Sequence, residues 1–179
     1  MSTKCLIRRQ LNNQYYIGMF LHVNIVAKII TGPRGIMNFR AGSVASPEDM
    51  ERAGRLREVL DNLTEVNASV PIIVEGKRDV SALRKLGVDG EIITLHRGIN
   101  LYEFCADISQ RFQKVILLLD WDEKGTHLTD TVSSHLRGHC EEFSNFRAIL
   151  RLLCQKEIRD IEGLPKLLKR LEGDENTGE

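Results

Sequence analysis

The chain has 179 residues, with 25 Lys and Arg against 25 Asp and Glu and only 6% aromatic residues. At 42% hydrophobic and 28% charged it is able to bury a core, which excludes disorder by composition, and its zero net charge excludes a uniformly basic nucleic-acid coat. Cys5, Cys105, Cys140 and Cys154 form no Cys-x-x-Cys pair, which argues against a disulfide scaffold or a zinc ribbon and for reduced thiols in a cytoplasm.

The charge balance is uneven. Residues 1–45 carry six basic residues and no acid, so they stand at +6; the remainder holds 19 basic against 25 acidic residues and stands at −6. Tyr15–Ile30 is apolar but broken by His22, Asn24 and Lys28, too short and too polar for a membrane span of about 20 residues. It also lacks the unbroken core of a signal peptide. We expect residues 1–45 to be a basic extension outside the folded domain, with Met37 and Met50 as alternative starts. A transit peptide and an ordered basic arm are the competing readings. The domain then spans 46–172, and 173–179 is a polar tail.

From Ser46 onward the pattern alternates between helix and strand. Ser46-Pro47-Glu48-Asp49 opens a helix with a capping hydroxyl, a first-turn proline and acids at the positive end of the dipole. Helical spacing carries it over about 47–64. Val70–Val74 is a short β-branched run, read as a buried parallel strand. Asp79–Leu86 is predicted helical, ended by Gly87. Glu91–Leu95 is a second strand, Leu101–Phe112 a helix, and Lys114–Leu119 a third and more apolar strand. A helix follows over about Glu123–Arg137, then helices at Phe146–Cys154 and Leu164–Leu171. A fourth strand near 143–150 competes with helix there. The order predicts an α/β fold with right-handed βαβ crossovers and a central, mainly parallel sheet of about four strands flanked by helices.

Parallel sheets bind ligands beyond the carboxyl ends of their strands. Glu75-Gly76-Lys77-Arg78-Asp79 follows the first strand there, and Asp120-Trp121-Asp122-Glu123-Lys124-Gly125 follows the third. Alternation along an extended chain sends Asp120 and Asp122 to one side. Glu75, Asp120 and Asp122 would then converge, and like charges so placed call for a cation. An all-oxygen donor set suits Mg²⁺, one or two ions with Mn²⁺ able to substitute, and phosphate oxygens complete such a shell. Lys77, Arg78 and Lys124 are placed to meet that phosphate, and Gly76 and Gly125 to permit close approach. Taken singly, an acid at a strand end is most often a helix cap or a solvated turn.

Other constellations carry less. His135-x-x-x-His139-Cys140 has metal-ligand spacing on a helix, but exposed surface histidines are the better reading, and His127 likewise reads as helix surface. Trp121 reads as a packing residue rather than a base-stacking one. Arg147, Arg151, Lys156, Arg159, Lys166, Lys169 and Arg170 make the C-terminal part locally basic, either as a nucleic-acid track or as a solvated face.

An apolar strand ending in Glu-Gly-Lys-x-Asp (PIIVEGKRD, 71–79), followed one βα unit later by a strand ending in Asp-x-Asp-x-x-Gly (VILLLDWDEKG, 115–125), resembles the Toprim domain. Over about 46–171 the chain is similar to the small stand-alone archaeal Toprim proteins, whose function is largely undetermined. The resemblance implies a Rossmann-like three-layer fold. It also implies Glu75 as general acid/base or metal ligand, and Asp120 and Asp122 as Mg²⁺ ligands. The expected activity is Mg²⁺-dependent phosphoryl transfer or phosphodiester hydrolysis on RNA or DNA, nuclease-like. The rival is a non-catalytic Mg²⁺-dependent nucleic-acid adaptor in RNA processing or DNA repair. No topoisomerase, primase-zinc or ATPase module accompanies the domain motifs in this sequence.

Overall fold

The computed structural model describes residues 45–95, 100–154 and 157–173. The basic extension, including Tyr15–Ile30, and the tail beyond Gly173 lie outside the described residues. So does Lys156.

The elements in chain order are α1 (Pro47–Asn67), β1 (Ile72–Val74), α2 (Lys77–Lys85), β2 (Ile92–Thr94), α3 (Leu101–Arg111), β3 (Ile116–Leu117), α4 (Glu123–His135), a 3-10 turn at Glu141–Phe143, α5 (Ser144–Cys154) and α6 (Leu164–Leu171). The expected alternation is therefore present. Ser46 caps α1, its hydroxyl accepting from the Asp49 N–H at 3.0 Å. At the far end, the Asn67 amide donates to the Val70 and Glu91 carbonyls at 3.0 and 2.9 Å, tying the helix terminus to the start of β2.

Among the described residues the sheet has three strands in the order β2-β1-β3, all parallel. Ile72 pairs with Ile92 on one side and with Ile116 on the other. The sequence-based expectation of about four strands is corrected here. Residues 143–150 belong to the 3-10 turn and to α5, whose buried Phe146, Leu150, Leu153 and Cys154 recur at helical rather than alternating spacing. One face of the sheet presents Ile73, Ile93 and Leu117 to a core shared with Phe104, Cys105 and Ile108 of α3 and Val132 of α4. Alternation turns Ile72, Val74 and Ile116 to the other face, where α5 meets β3 and α2 meets β2. Helix α1 packs on α5 and α6 behind them.

The strand order fixes where a ligand can sit. From β1 the chain crosses to β2 at one edge, then returns over β1 to β3 at the other. The crossovers leaving β1 and β3 therefore diverge, opening a crevice at the carboxyl ends of these two neighbours. Glu75 and Asp120 lie one and three residues past the last residues of β1 and β3. No described helix is long and apolar enough to cross a membrane.

Candidate metal and phosphate site

The two motif segments are shaped by helix caps. Helix α2 begins at Lys77, two residues earlier than periodicity placed it, because the Asp79 carboxylate turns back to accept the Gly76 N–H at 2.8 Å. Lys77 and Arg78 are thereby the first two residues of a helix, both exposed, where the dipole is positive. Asp122 caps α4 in the opposite sense, its Oδ1 accepting the Gly125 N–H at 2.6 Å. Asp122 is thus positioned by a cap rather than by strand alternation, since the described strand ends at Leu117. Its Oδ2 makes no hydrogen bond among the described residues.

Asp120 is held from three directions. Its Oδ1 accepts the Ile161 N–H at 3.0 Å. Its carbonyl accepts from the Arg147 guanidinium at 2.7 Å, and the same side chain donates to the Leu119 carbonyl at 2.9 Å and the Thr126 hydroxyl at 3.1 Å. On the third side lies Gly125, where a Cβ would stand 2.2 Å from the Asp120 carbonyl oxygen. Trp121, 6% exposed, anchors the following residue: its indole N–H donates to the Ile158 carbonyl at 2.8 Å. It packs, as the sequence suggested, and is not presented for stacking.

Lys124 reaches back across the crevice and donates to Glu75 Oε1 at 2.5 Å. Its ammonium is raised above the ordinary lysine range, first by that hydrogen bond and by the Glu75 charge, with Asp122 and Asp120 adding. One tethered cation is therefore within electrostatic reach of all three motif acids. The lysine side chain is 74% exposed and that of Glu75 18%, so the pair lies at the mouth of the crevice.

Two acids that sequence reasoning did not select join the cluster. Burial pushes the Asp120 carboxyl up to about 6, and Asp79, Asp160 and Glu75 add to the shift, with the Ile161 N–H opposing it. Asp79 is also raised, by burial first, then by Glu75, Glu162 and Asp160 against its Gly76 hydrogen bond. Asp160 is fixed by accepting the Gly163 N–H at 2.7 Å. The spacing carried a readable signal: Asp160-x-x-Gly163 repeats the Asp122-x-x-Gly125 capping pattern. Arg147 gave none, being one cation among seven in a basic stretch. The structure takes it out of any solvent-facing basic track and spends it on the carbonyls after β3.

The raised Asp120 carboxyl has a direct consequence for stability. Its folded-state pKa of about 6 exceeds the unfolded value of 3.8. The native state therefore holds this proton more tightly, and stability falls as pH rises through about 4 to 6. Asp120→Asn keeps the acceptor for Ile161 and removes the charge. In chelator at pH 7.5 the variant is expected to melt roughly 3–5 °C above wild type, about 1 kcal/mol after discounting for solvent screening at a half-exposed group. The difference should vanish near pH 4. Equal melting temperatures at both pH values would contradict the assignment of a penalised charge.

The remaining candidates separate cleanly. The His139 ring Nδ1 lies 3.0 Å from the Phe112 carbonyl, Cys140 is buried, and His135 meets the edge of Tyr102. Nothing there gathers ligands. His127 is exposed on α4. Nowhere among the described residues do three His, Cys, Asp or Glu side chains already stand close enough to hold one ion. The donor chemistry after β1 and β3 nonetheless suits a hard divalent cation: all oxygen, sharing one ammonium, with the second oxygens of Asp120 and Asp122 uncommitted among the described residues.

These features define a class. Residues 70–152 match the family model of the Toprim domain, which places both motif segments inside one domain. The chain is 35% identical over 128 residues to a UPF0292 protein of Methanosarcina barkeri, covering 68% of this chain and 85% of that one. It is 39% identical to a UPF0292 protein of Thermococcus sibiricus, covering 67% and 93%. The chain belongs to this UPF0292 family of Toprim-domain proteins. A shorter match, 47% identical over 72 residues, is to a UPF0292 protein of Thermoplasma volcanium, of which it spans 60%. Among solved structures, a protein from Aquifex aeolicus superimposes with a TM-score of 0.50 at 29% identity, over 59% of this chain and 94% of that chain.

Proposed function

We propose that the crevice between β1 and β3 binds Mg²⁺ and hydrolyses phosphodiesters of nucleic acid. The observation that carries this reading is the tethered ammonium of Lys124 among Glu75, Asp122 and Asp120. A lysine held by Glu75 within reach of the Asp122 and Asp120 charges marks a site that favours positive charge. Asp120, Asp122 and Glu75 are the residues to hold the ion. When bound, Mg²⁺ or Mn²⁺ would polarise a phosphoryl oxygen and lower the pKa of a water.

The chain's own residues supply the rest. Glu75 takes the proton of the attacking water as its oxygen adds to phosphorus and the bond to the leaving oxygen breaks. Lys124, released from Glu75 once the site carries other positive charge, meets the phosphate. Lys77 and Arg78 offer further cations at the N-terminus of α2, where the dipole favours an anion. Arg147 and the Asp122 cap hold the segment after β3 in place and touch no substrate.

The test is incubation of the full-length chain with labelled RNA and DNA, with Mg²⁺ and with chelator. Cleavage that requires the metal is the expected result. Binding without cleavage would make the protein a Mg²⁺-dependent adaptor, and neither binding nor cleavage would end the proposal.

A further inference from the structure

Helices α1, α2 and α6 enclose an open groove of about 820 Å³ on the side of the domain reached through Arg78 and Glu162. Both residues border the acid cluster as well. Arg78 follows the Glu75-Gly76 turn and stands 3.7 Å from Glu162, which is among the charges that raise Asp79. Arg78 and Glu162 therefore stand between the groove and the acids after β1. The charge of the groove runs against that of the surrounding domain. Residues 46–179 together stand at −6, yet the groove is lined by five cations against three acids. Arg57 is paired with Glu172, and Arg78 with Glu162. Lys85, Lys166 and Lys169 are exposed and have no ion-pair partner among the described residues.

Arg78, Lys85, Lys166 and Lys169 are spread along two of the helices that line the groove. Arg78 and Lys85 lie seven residues apart on α2, about 10 Å along the helix, which is the rise of about three stacked nucleotides. Lys166 and Lys169 sit at i and i+3 on α6 and so share one face of it. No aromatic side chain lines the groove, so no base has a stacking platform there.

We propose that this groove holds the phosphate backbone of a single nucleic-acid strand on one side of the phosphate that lies at the carboxylates, without reading its bases. The inference rests on the proposed action of the crevice on nucleic acid and names the surface that aligns the strand. It also divides the basic C-terminal stretch, assigning Lys166 and Lys169 to the strand while Arg147 and Arg170 serve the protein's own carbonyls and acids.

The test measures fluorescence anisotropy of labelled single-stranded RNA and DNA of mixed sequence with the full-length chain, across a series of salt concentrations. Charge neutralisation at Lys85→Gln, Lys166→Gln and Lys169→Gln together should reduce the slope of log affinity against log salt by about 2, at roughly 0.7 per phosphate contact. At low salt, binding should weaken by roughly 10- to 100-fold, with melting unchanged. Arg137→Gln, outside the groove, is the control and should leave the slope as it is. A triple variant with the wild-type slope would overturn the groove assignment while metal-dependent cleavage by the wild type still stood. A wild type that binds neither nucleic acid at low salt would remove the function of the crevice and the groove together. Strong discrimination between base compositions, or tighter binding to duplex than to single strand, would also overturn the inference.

Discussion

Glu75→Gln is expected to lower the rate of Mg²⁺-dependent cleavage by roughly 10²–10⁴, the range spanned by loss of a positioned general acid or base. Glu75 lies one residue beyond β1, the strand paired with β3, and its carboxylate accepts a hydrogen bond from the Lys124 ammonium. The amide keeps shape and hydrogen-bonding oxygen while losing the ability to accept a proton from water. It also removes one negative charge beside the incoming phosphate, so nucleic-acid affinity should stay level or rise slightly. A loss of rate without a loss of binding separates proton transfer from strand recognition. Full activity in Glu75→Gln would displace this residue from the reaction while leaving the fold untouched.

The second large effect is expected at Gly125. In the first turn of α4, alanine is intrinsically favoured over glycine by about 1 kcal/mol. Against that, a Cβ at this position would stand 2.2 Å from the Asp120 carbonyl oxygen and 2.6 Å from its carbon, both backbone atoms. That backbone is held by Arg147 and cannot yield without losing those hydrogen bonds. Steric overlap wins, and Gly125→Ala should cost roughly 2–3 kcal/mol net, lowering the melting temperature by roughly 5–12 °C. Because the same shift displaces Asp120 and the Asp122 cap, metal affinity should fall with it. Gly76→Ala is the contrast: nothing lies within 4 Å of its Cβ position, so a normal melt is expected. A Gly125→Ala variant that melts like wild type would show that α4 does not rest on Asp120.

Much of this architecture was legible in the residues. Apolar β-branched runs gave three strands, and turn and cap signals gave the helices between them, because both patterns reflect local geometry. Residues 143–150 were ambiguous because a short apolar run fits either period. Only the packing of Phe146, Leu150 and Leu153 inside the fold decides for helix. The acids after β1 and β3 were legible for a topological reason, since parallel sheets present their strand ends to ligands. What held those acids in place was not. Alternation placed Asp122 for the wrong reason, as its position comes from capping α4. Ile161, some forty residues further on, holds Asp120 through a backbone N–H that leaves no mark in the sequence, and Asp160 beside it adds a charge whose one signal is its capping spacing. Lys124 shows the same limit. Its place in the motif suggested a phosphate ligand, but only the tertiary structure shows that its ammonium reaches Glu75.

The carboxylates after β1 and β3 are proposed to form one divalent-cation site. Calorimetric titration of Mg²⁺ and Mn²⁺ into wild type, Asp120→Asn and Asp122→Asn tests it most directly. A saturable site in the wild type, weakened in each variant and accompanied by a higher melting temperature with Mg²⁺, is the predicted result. Metal affinity equal in all three chains would contradict it.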